Sequence, residues 1–379
     1  MNMGAMLCCP AVCAVEDSYI IAVPVKRRAL VSVDIGGNTY YYHKNGVRIS
    51  SAGVHMFRVP QKELNSVKKY SVSVRNVYAR LPFALIKGKE KRFEFSFRPL
   101  EKTEDIHICH ISDSHGMFKE ACRAGGYFSR KNLDLLILNG DIQNYSSRVS
   151  QTLLPYKIAS RLTGGELPVI ITRGNHDLRG KASQFLSDIY PSSRGDFYYT
   201  ARVGCIEFLV ADCGEDKIDS HREYGGSAAY HPFRLEETEF IERVADSNIF
   251  FEQGVKYRFV LSHVPFSVRN KESWGSEISP FDIENDIYCR WCDIIRQKIK
   301  PHLFISGHLH ETEVYRRTDK ECSRGPLRDI GCDTAICGGK TKKNKDFYSA
   351  NITVNEFGCN IVFTNKEGKS PLKIKSDFE

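Results

Sequence analysis

The sequence predicts an α/β protein in two parts: a small all-β sandwich over residues 1–100, then a strand-and-helix domain over 105–379. Three observations carry this. At 379 residues the chain is long for a single core. Up to residue 98, short apolar–polar alternations repeat between turn signals, the period-two pattern of half-buried strands. From Ile106 onward, compact apolar runs alternate with stretches of helical periodicity, as in βαβ units.

The elements follow in order. Residues 29–35 alternate, Gly36-Gly37-Asn38 marks a turn, and residues 39–42 return as a second strand. Asn45-Gly46 is a further turn signal. Residues 54–59, 70–74 and 93–97 continue the pattern, and the polar stretch 99–105 reads as a linker. Beyond it, 117–129, 148–162, 235–251 and 283–299 are helix candidates. Residues 197–199 and 206–210 read as an antiparallel hairpin, and 348–364 returns to strands around Asn355-Glu356-Phe357-Gly358.

Composition narrows the function. Apolar residues make up 41% and charged residues 26%, a globular balance. No apolar run reaches the roughly 18 residues of a membrane helix, so no membrane partner is expected. The first fifteen residues lack the basic start of a signal peptide. Thirteen scattered cysteines, an odd count, suggest reduced thiols in the cytoplasm. Sixteen Lys and Arg against six Asp and Glu give the first hundred residues about +10, which leaves the remainder near −2 of the net +8. Such a domain can attract nucleic acid. The lysines are dispersed without interleaved aromatics, so solvated strand faces are the favoured reading.

Chemistry concentrates at the ends of five apolar runs. Residues 106–111 lead to Asp113 and His115, 133–138 to Gly140-Asp141, and 169–171 to Asn175-His176. Residues 257–261 lead to His263, and 303–305 to Gly307-His308-Leu309-His310. The intervals of 28 residues from Asp113 to Asp141 and 34 from Asp141 to Asn175 each fit one strand–helix–strand unit. Parallel strands would bring all five ends to one sheet edge, where α/β proteins bind ligands. Imidazole, carboxylate and amide without thiolate suit Mn, Fe or Zn in a two-metal site.

This set resembles the calcineurin-like metallophosphoesterase family, in particular bacterial members that carry a fibronectin-III-like β-sandwich first. The likeness spans residues 105–365 and holds all five motifs in family order. It implies a four-layer αββα sandwich of two mixed sheets between helices. It also implies two metal ions about 3.5–4 Å apart. By position, Asp113, His115 and His310 would hold one ion; Asn175, His263 and His308 would hold the other; Asp141 would bridge them. A hydroxide bridging the two ions would attack phosphorus in line, and His176 would protonate the leaving alkoxide.

Two departures stand out. Protein phosphatases of the family place an acid three residues after the bridging Asp, paired with the catalytic His. Here that position is Asn144, read as an amide partner to His176 and a substrate contact. Purple acid phosphatases use a metal-binding Tyr at that offset, whereas Tyr145 lies one residue further on. Arg173 and Arg179 flank the central motif as candidate phosphate clamps, each weighed against an ordinary ion pair. The polar stretch from Gly214 to Tyr224 is a candidate rim for substrate choice, or simply a solvated loop. Gly338-Gly339-Lys340-Thr341 lacks the leading glycine of a phosphate loop, since Thr334 stands there. Cys289-x-x-Cys292 has no second pair to make a zinc site.

The leading function is therefore hydrolysis of phosphomonoesters or phosphodiesters. The alternatives are a nuclease, suggested by the basic first domain, and a non-catalytic scaffold, which would be expected to have lost ligands that this chain retains.

Overall fold

The computed structural model describes residues 3–269, 284–339 and 346–378. Met1 and the expected helix start at Ile283 lie outside the described residues, as do Lys340 and Thr341.

The first hundred residues are strands apart from one short helix. They comprise β1 (Ala11–Val15), β2 (Ser18–Val25), β3 (Ala29–Ile35), β4 (Asn38–Tyr41), β5 (His43–Lys44), β6 (Val47–Arg48) and β7 (Gly53–Pro60). Helix α1 (Gln61–Val67), β8 (Lys69–Arg80), β9 (Leu85–Lys87) and β10 (Lys91–Ser96) complete the region. Strands β10, β8, β3 and β4 form one sheet in that order, with β9 on β8. On β3 the alternation is literal: Val31, Val33 and Ile35 are buried, while Ser32 and Asp34 are only half-buried.

The α/β part begins with β11 (Ile106–Ile111), α2 (Phe118–Ala124), β12 (Leu135–Asn139), α3 (Val149–Thr152), α4 (Leu154–Thr163) and β13 (Pro168–Thr172). Helix α4 starts with Pro155 in its first turn and stops at Gly164, whose φ of +66° is the left-handed cap that glycine adopts without cost. Next come β14 (Tyr199–Val203), β15 (Ile206–Ala211), α5 (Tyr230–Asp246), β16 (Tyr257–Ser262), α6 (Asn285–Ile294) and β17 (Leu303–Ser306). The chain ends with β18 (Glu313–Tyr315), the small hairpin β19 (Glu321–Cys322) and β20 (Gly325–Pro326), β21 (Asp333–Ile336), β22 (Tyr348–Asn355), β23 (Gly358–Asn365) and β24 (Leu372–Asp377).

Two mixed sheets form the centre. One runs β24-β23-β22-β11-β12-β13-β1-β2-β7, the other β14-β15-β16-β17-β21-β18. Helices α2 and α4 cover the first. Helices α5 and α6 share a core with the second, in which Leu209, Val260 and Phe304 meet Ile241, Trp291 and Ile295. This is the expected four-layer αββα sandwich.

The N-terminal strands are not separate from it. Strand β1 pairs in parallel with β13, Val12 opposite Pro168 and Cys13 opposite Val169, and β2 and β7 extend the same sheet. One apolar core holds Val31, Val33, Val72 and Val74 together with Val12, Val169 and Leu136. The N-terminal sandwich thus shares one of its two layers with the α/β part.

The site is set by register. Ile111 pairs with Leu138, and Asn139 with Thr172, so Asp113, Asp141 and Asn175 leave three adjacent parallel strands together. Leu261 pairs with Ile305 in the other sheet, which brings out His263 and His308 side by side. The five strand ends therefore meet from two sheets, three and two, rather than along the single edge expected. The Asn139 amide ties the sheets together by donating to the Ser262 carbonyl at 3.1 Å.

Candidate metal centre

Seven polar side chains converge where the two sheet edges meet. Asp113 Oδ1 lies 3.3 Å from His310 Nε2, and His310 Nε2 lies 3.1 Å from His115 Nε2. Asp141 Oδ2 lies 3.5 Å from His263 Nε2 and 3.9 Å from His115 Nε2. Two groups could each hold a metal ion: Asp113 with His115 and His310, and Asp141 with His263 and His308. A third grouping, His115, Asp141 and His176, links them.

The donor atoms are prepared by their neighbours. His263 Nδ1 donates to the Asn139 carbonyl at 2.8 Å, which fixes the tautomer and turns Nε2 towards the carboxylates. Asp113 Oδ2 accepts from the His308 amide at 2.8 Å and lies 2.6 Å from the Ser112 hydroxyl. Its other oxygen, Oδ1, is buried without a hydrogen bond, facing three imidazole nitrogens. A buried carboxylate oxygen left in that state is costly. Asn175 Oδ1 faces His308 Nδ1 at 3.0 Å, acceptor to acceptor. Reversed, its NH2 would donate to His308 Nδ1 and Asp141 Oδ2. The oxygen-inward orientation is the one a cation requires. The donor set fits metal ions, with oxygen and nitrogen atoms aimed at shared points and a buried carboxylate oxygen without a hydrogen bond between them.

Backbone strain is concentrated here. Asp113, His115, Asp141, His308 and His310 all have positive φ, between 42° and 67°. They are five of the eleven non-glycine residues in that region of backbone space among the described residues. The glycines before them answer to crowding. A Cβ on Gly140 would lie 2.6 Å from both Gly174 N and His263 Nδ1, and one on Gly307 would lie 2.0 Å from the Ser112 hydroxyl.

Electrostatics follow from burial and crowding. Burial opposes ionisation of Asp113 and Asp141, yet the surrounding imidazoles, His263 foremost, hold both carboxyls well below their ordinary range. His263 pays for burial too, but Asp141 and Asp113 push it up to about 10. His308 is brought down to about 3 by burial and by the neighbouring His263.

His176 sits at the rim, on the turn after β13. Its amide donates to Asp141 Oδ1 at 2.8 Å. Its Nδ1 donates to the main-chain carbonyl of Asn144 at 2.9 Å, so the expected amide partner is in fact a backbone oxygen. Its Nε2 lies 3.9 Å from Asp141 Oδ2 and 3.3 Å from Arg179 Nη1. Arg179 is held by Glu215 through two bonds of 2.5 and 3.2 Å. It lines a cavity of about 410 Å³ with Asn144, Tyr145, Ser147, His176 and Gly180.

Arg173 is paired with an acid. Its guanidinium is 2.5 Å from Asp212 and stacks over Phe197 at 4.4 Å, nearly buried. The guanidinium is thus engaged in the kind of ion pair against which a phosphate contact was weighed, as Arg179 is with Glu215.

Sequence reasoning missed several supports. Asp177, the least understood member of the motif, is fully buried. It accepts from the Gly174 amide at 2.7 Å and the Asp141 amide at 3.1 Å, and from Gln143. It therefore joins the second and third strand ends. Burial, then Asp141, raises its carboxyl to about 7. Asp216 lies 3.8 Å from His308 Nε2, its other oxygen 2.9 Å from Lys217 and 3.4 Å from Arg179. Only the density of charge in Gly214–Tyr224 could have drawn attention to it.

Residues 106–312 match the sequence profile described as calcineurin-like phosphoesterase. The chain belongs to this family. Membership makes it a hydrolase of ester bonds, with metal-dependent phosphoester hydrolysis as its class. No curated protein matches this phosphoesterase in sequence. Among solved structures it is similar to the purple acid phosphatase PPD1 from yellow lupin (Lupinus luteus) seeds. The identity is 14% and the TM-score 0.59, over 97% of this chain and 73% of that one. It is similar to PhoD at 12% identity and TM-score 0.54, over 97% and 88% of the two chains. At such identities the likeness is one of fold.

Proposed function

We propose that this phosphoesterase hydrolyses small phosphomonoesters or phosphodiesters at a centre of two metal ions, drawn from Mn, Fe and Zn. The observation that carries this is the unpartnered Asp113 Oδ1 among three imidazole nitrogens, next to a second group built on Asp141. Asp113, His115 and His310 would hold one ion, Asn175, His263 and His308 the other, and Asp141 would serve both. Ions held there supply acidified water and neutralise phosphate charge. The protein's own groups do the rest. Arg179, whose Nη1 donates to His176 Nε2 at 3.3 Å, would turn that edge to the phosphate when substrate binds. The Nδ1–H of His176 is held by the Asn144 carbonyl, which leaves Nε2 to carry a proton to the departing oxygen. The cavity beside His176 takes the leaving group. Thirteen free thiols support a reducing, cytoplasmic setting.

The test is turnover of p-nitrophenyl phosphate and its bis ester with Mn²⁺, with and without chelator, for the native chain and Asp141→Asn. Turnover lost on chelation and in the variant is expected, together with metal content that falls in Asp141→Asn. Equal turnover in all preparations, or none despite two bound ions, refutes the proposal.

A further inference from the structure

The N-terminal sandwich exposes apolar side chains that its own fold does not use. Of the fifteen large hydrophobic residues exposed among the described residues, six fall between positions 41 and 86: Tyr41, Val47, Tyr78, Leu81, Phe83 and Ile86. Val47 lies on the β5–β6 hairpin, Tyr41 ends β4 just before it, and the other four lie on the β8–β9 hairpin; the two hairpins are joined where Arg80 donates to the Arg48 carbonyl at 2.9 Å. The β8–β9 tip is a tight turn closed by the Leu81 amide on the Ala84 carbonyl at 2.8 Å, with Pro82 and Phe83 at its centre. Proline fixes the backbone there, so Phe83, fully exposed, is held outwards at little further entropic cost. An exposed apolar cluster of this kind marks an interaction surface.

The charge around it is predominantly positive, although Asp188 lies 3.5 Å from Lys44 and Asp34 lies 3.5 Å from Arg92. Arg48, Arg80, Lys87 and Lys89 surround the tips, and Lys91 and Arg92 follow. The sole acid from residue 75 to 92 is Glu90, which is already paired with Arg75 at 2.7 Å.

We propose that these two hairpin tips dock the phosphoesterase on an anionic lipid bilayer. Phe83, Leu81 and Ile86 enter the acyl boundary, Tyr41 and Tyr78 sit at headgroup level, and the cations face anionic headgroups. Charge complementarity and shape select this partner. Single-stranded nucleic acid needs several flat aromatic platforms along a cationic groove. Here the apolar groups stand on a protruding turn, and aliphatic side chains flank the one ring at its apex. That no helix among the described residues is long and apolar enough to cross a membrane does not bear on docking at its surface.

The experiment is co-sedimentation of the full chain with vesicles of phosphatidylcholine, alone or mixed with phosphatidylserine, at low and high salt. The native chain should bind the mixed vesicles and be released by salt. Phe83→Ser should lower partitioning about tenfold, and Lys87→Glu with Lys89→Glu should abolish the preference for phosphatidylserine. All these side chains are exposed, so unfolding midpoints and turnover should match the native chain. Absence of binding to phosphatidylserine vesicles overturns the proposal. So does equal binding by native chain and Phe83→Ser, or Phe83-dependent binding of a single-stranded oligonucleotide without vesicle binding.

Discussion

At the residue scale, the proposed site divides into atoms that would face metal and one ring that would face substrate. Asp113, Asp141, Asn175 and His263 are buried, while His176 keeps about a quarter of its side chain open to the cavity. Its ring is fixed at Nδ1 by a carbonyl, so the exposed Nε2 is the atom available for proton transfer. A proton donor matters most when the departing oxygen is a poor leaving group. His176→Gln should therefore cost kcat on an alkyl phosphate roughly 10²–10⁴-fold, and markedly less on a nitrophenyl ester, whose oxygen leaves without help. Comparing kcat on the two substrates checks this. An equal loss on both would remove His176 as the leaving-group acid. The candidate ligand residues were legible in sequence because imidazole and carboxylate at strand ends are conspicuous. Ser112, Asn139 and Asp177 were not, since each works through a hydrogen bond that exists only after strands far apart in sequence meet. The left-handed backbone of five of the site residues was equally hidden, because Asp and His do not advertise positive φ as glycine does.

At the element scale, strand and helix patterns were readable where burial is periodic, as on β3 and β8. The pairing of β1 with β13 was not, because it joins segments about 155 residues apart with no local signal. Nor could apolar runs say to which of two sheets they belong, so a single edge was expected where two meet. The second sheet also carries a charge in an apolar position. Glu207 on β15 is almost wholly buried and bonded to Arg202 of β14, which also reaches Glu252 at 3.1 Å. Burial raises the Glu207 carboxyl to about 7 despite Arg202. An unfolded Glu ionises near 4.3, so between about 4.5 and 7 the folded chain holds a proton that the unfolded chain has released. Stability from this group is full at the acid end and falls as pH rises through 7. Glu207→Gln should remove that slope. Denaturant unfolding at several pH values, native against variant, should give curves that run together at the acid end, where both side chains are neutral, and separate as pH rises towards 7. Parallel curves would mean that Glu207 ionises normally.

At the scale of the whole molecule, the boundary expected at residues 100–105 falls in the connection between β10 and β11, yet strands from both sides share one sheet. Strand β1 covers the edge of β13, the strand that ends in the Asn175–His176 turn. The common core runs from Ala5 to Phe363 and includes Val12, Val15, Ile21 and Phe57 with Val169, Ile171 and Tyr199. Removing the first hundred residues would leave β13 as an open edge and bare its apolar neighbours. It would also loosen the strand that presents Asn175 and His176. A chain truncated to residues 105–379 should thus aggregate, or unfold well below the full chain, and lose turnover even when Mn²⁺ is supplied. Solubility, thermal midpoint and turnover of p-nitrophenyl phosphate measure this. A monodisperse 105–379 fragment with native turnover would mean that the sheet tolerates loss of β1, β2 and β7, and that the N-terminal strands serve docking alone.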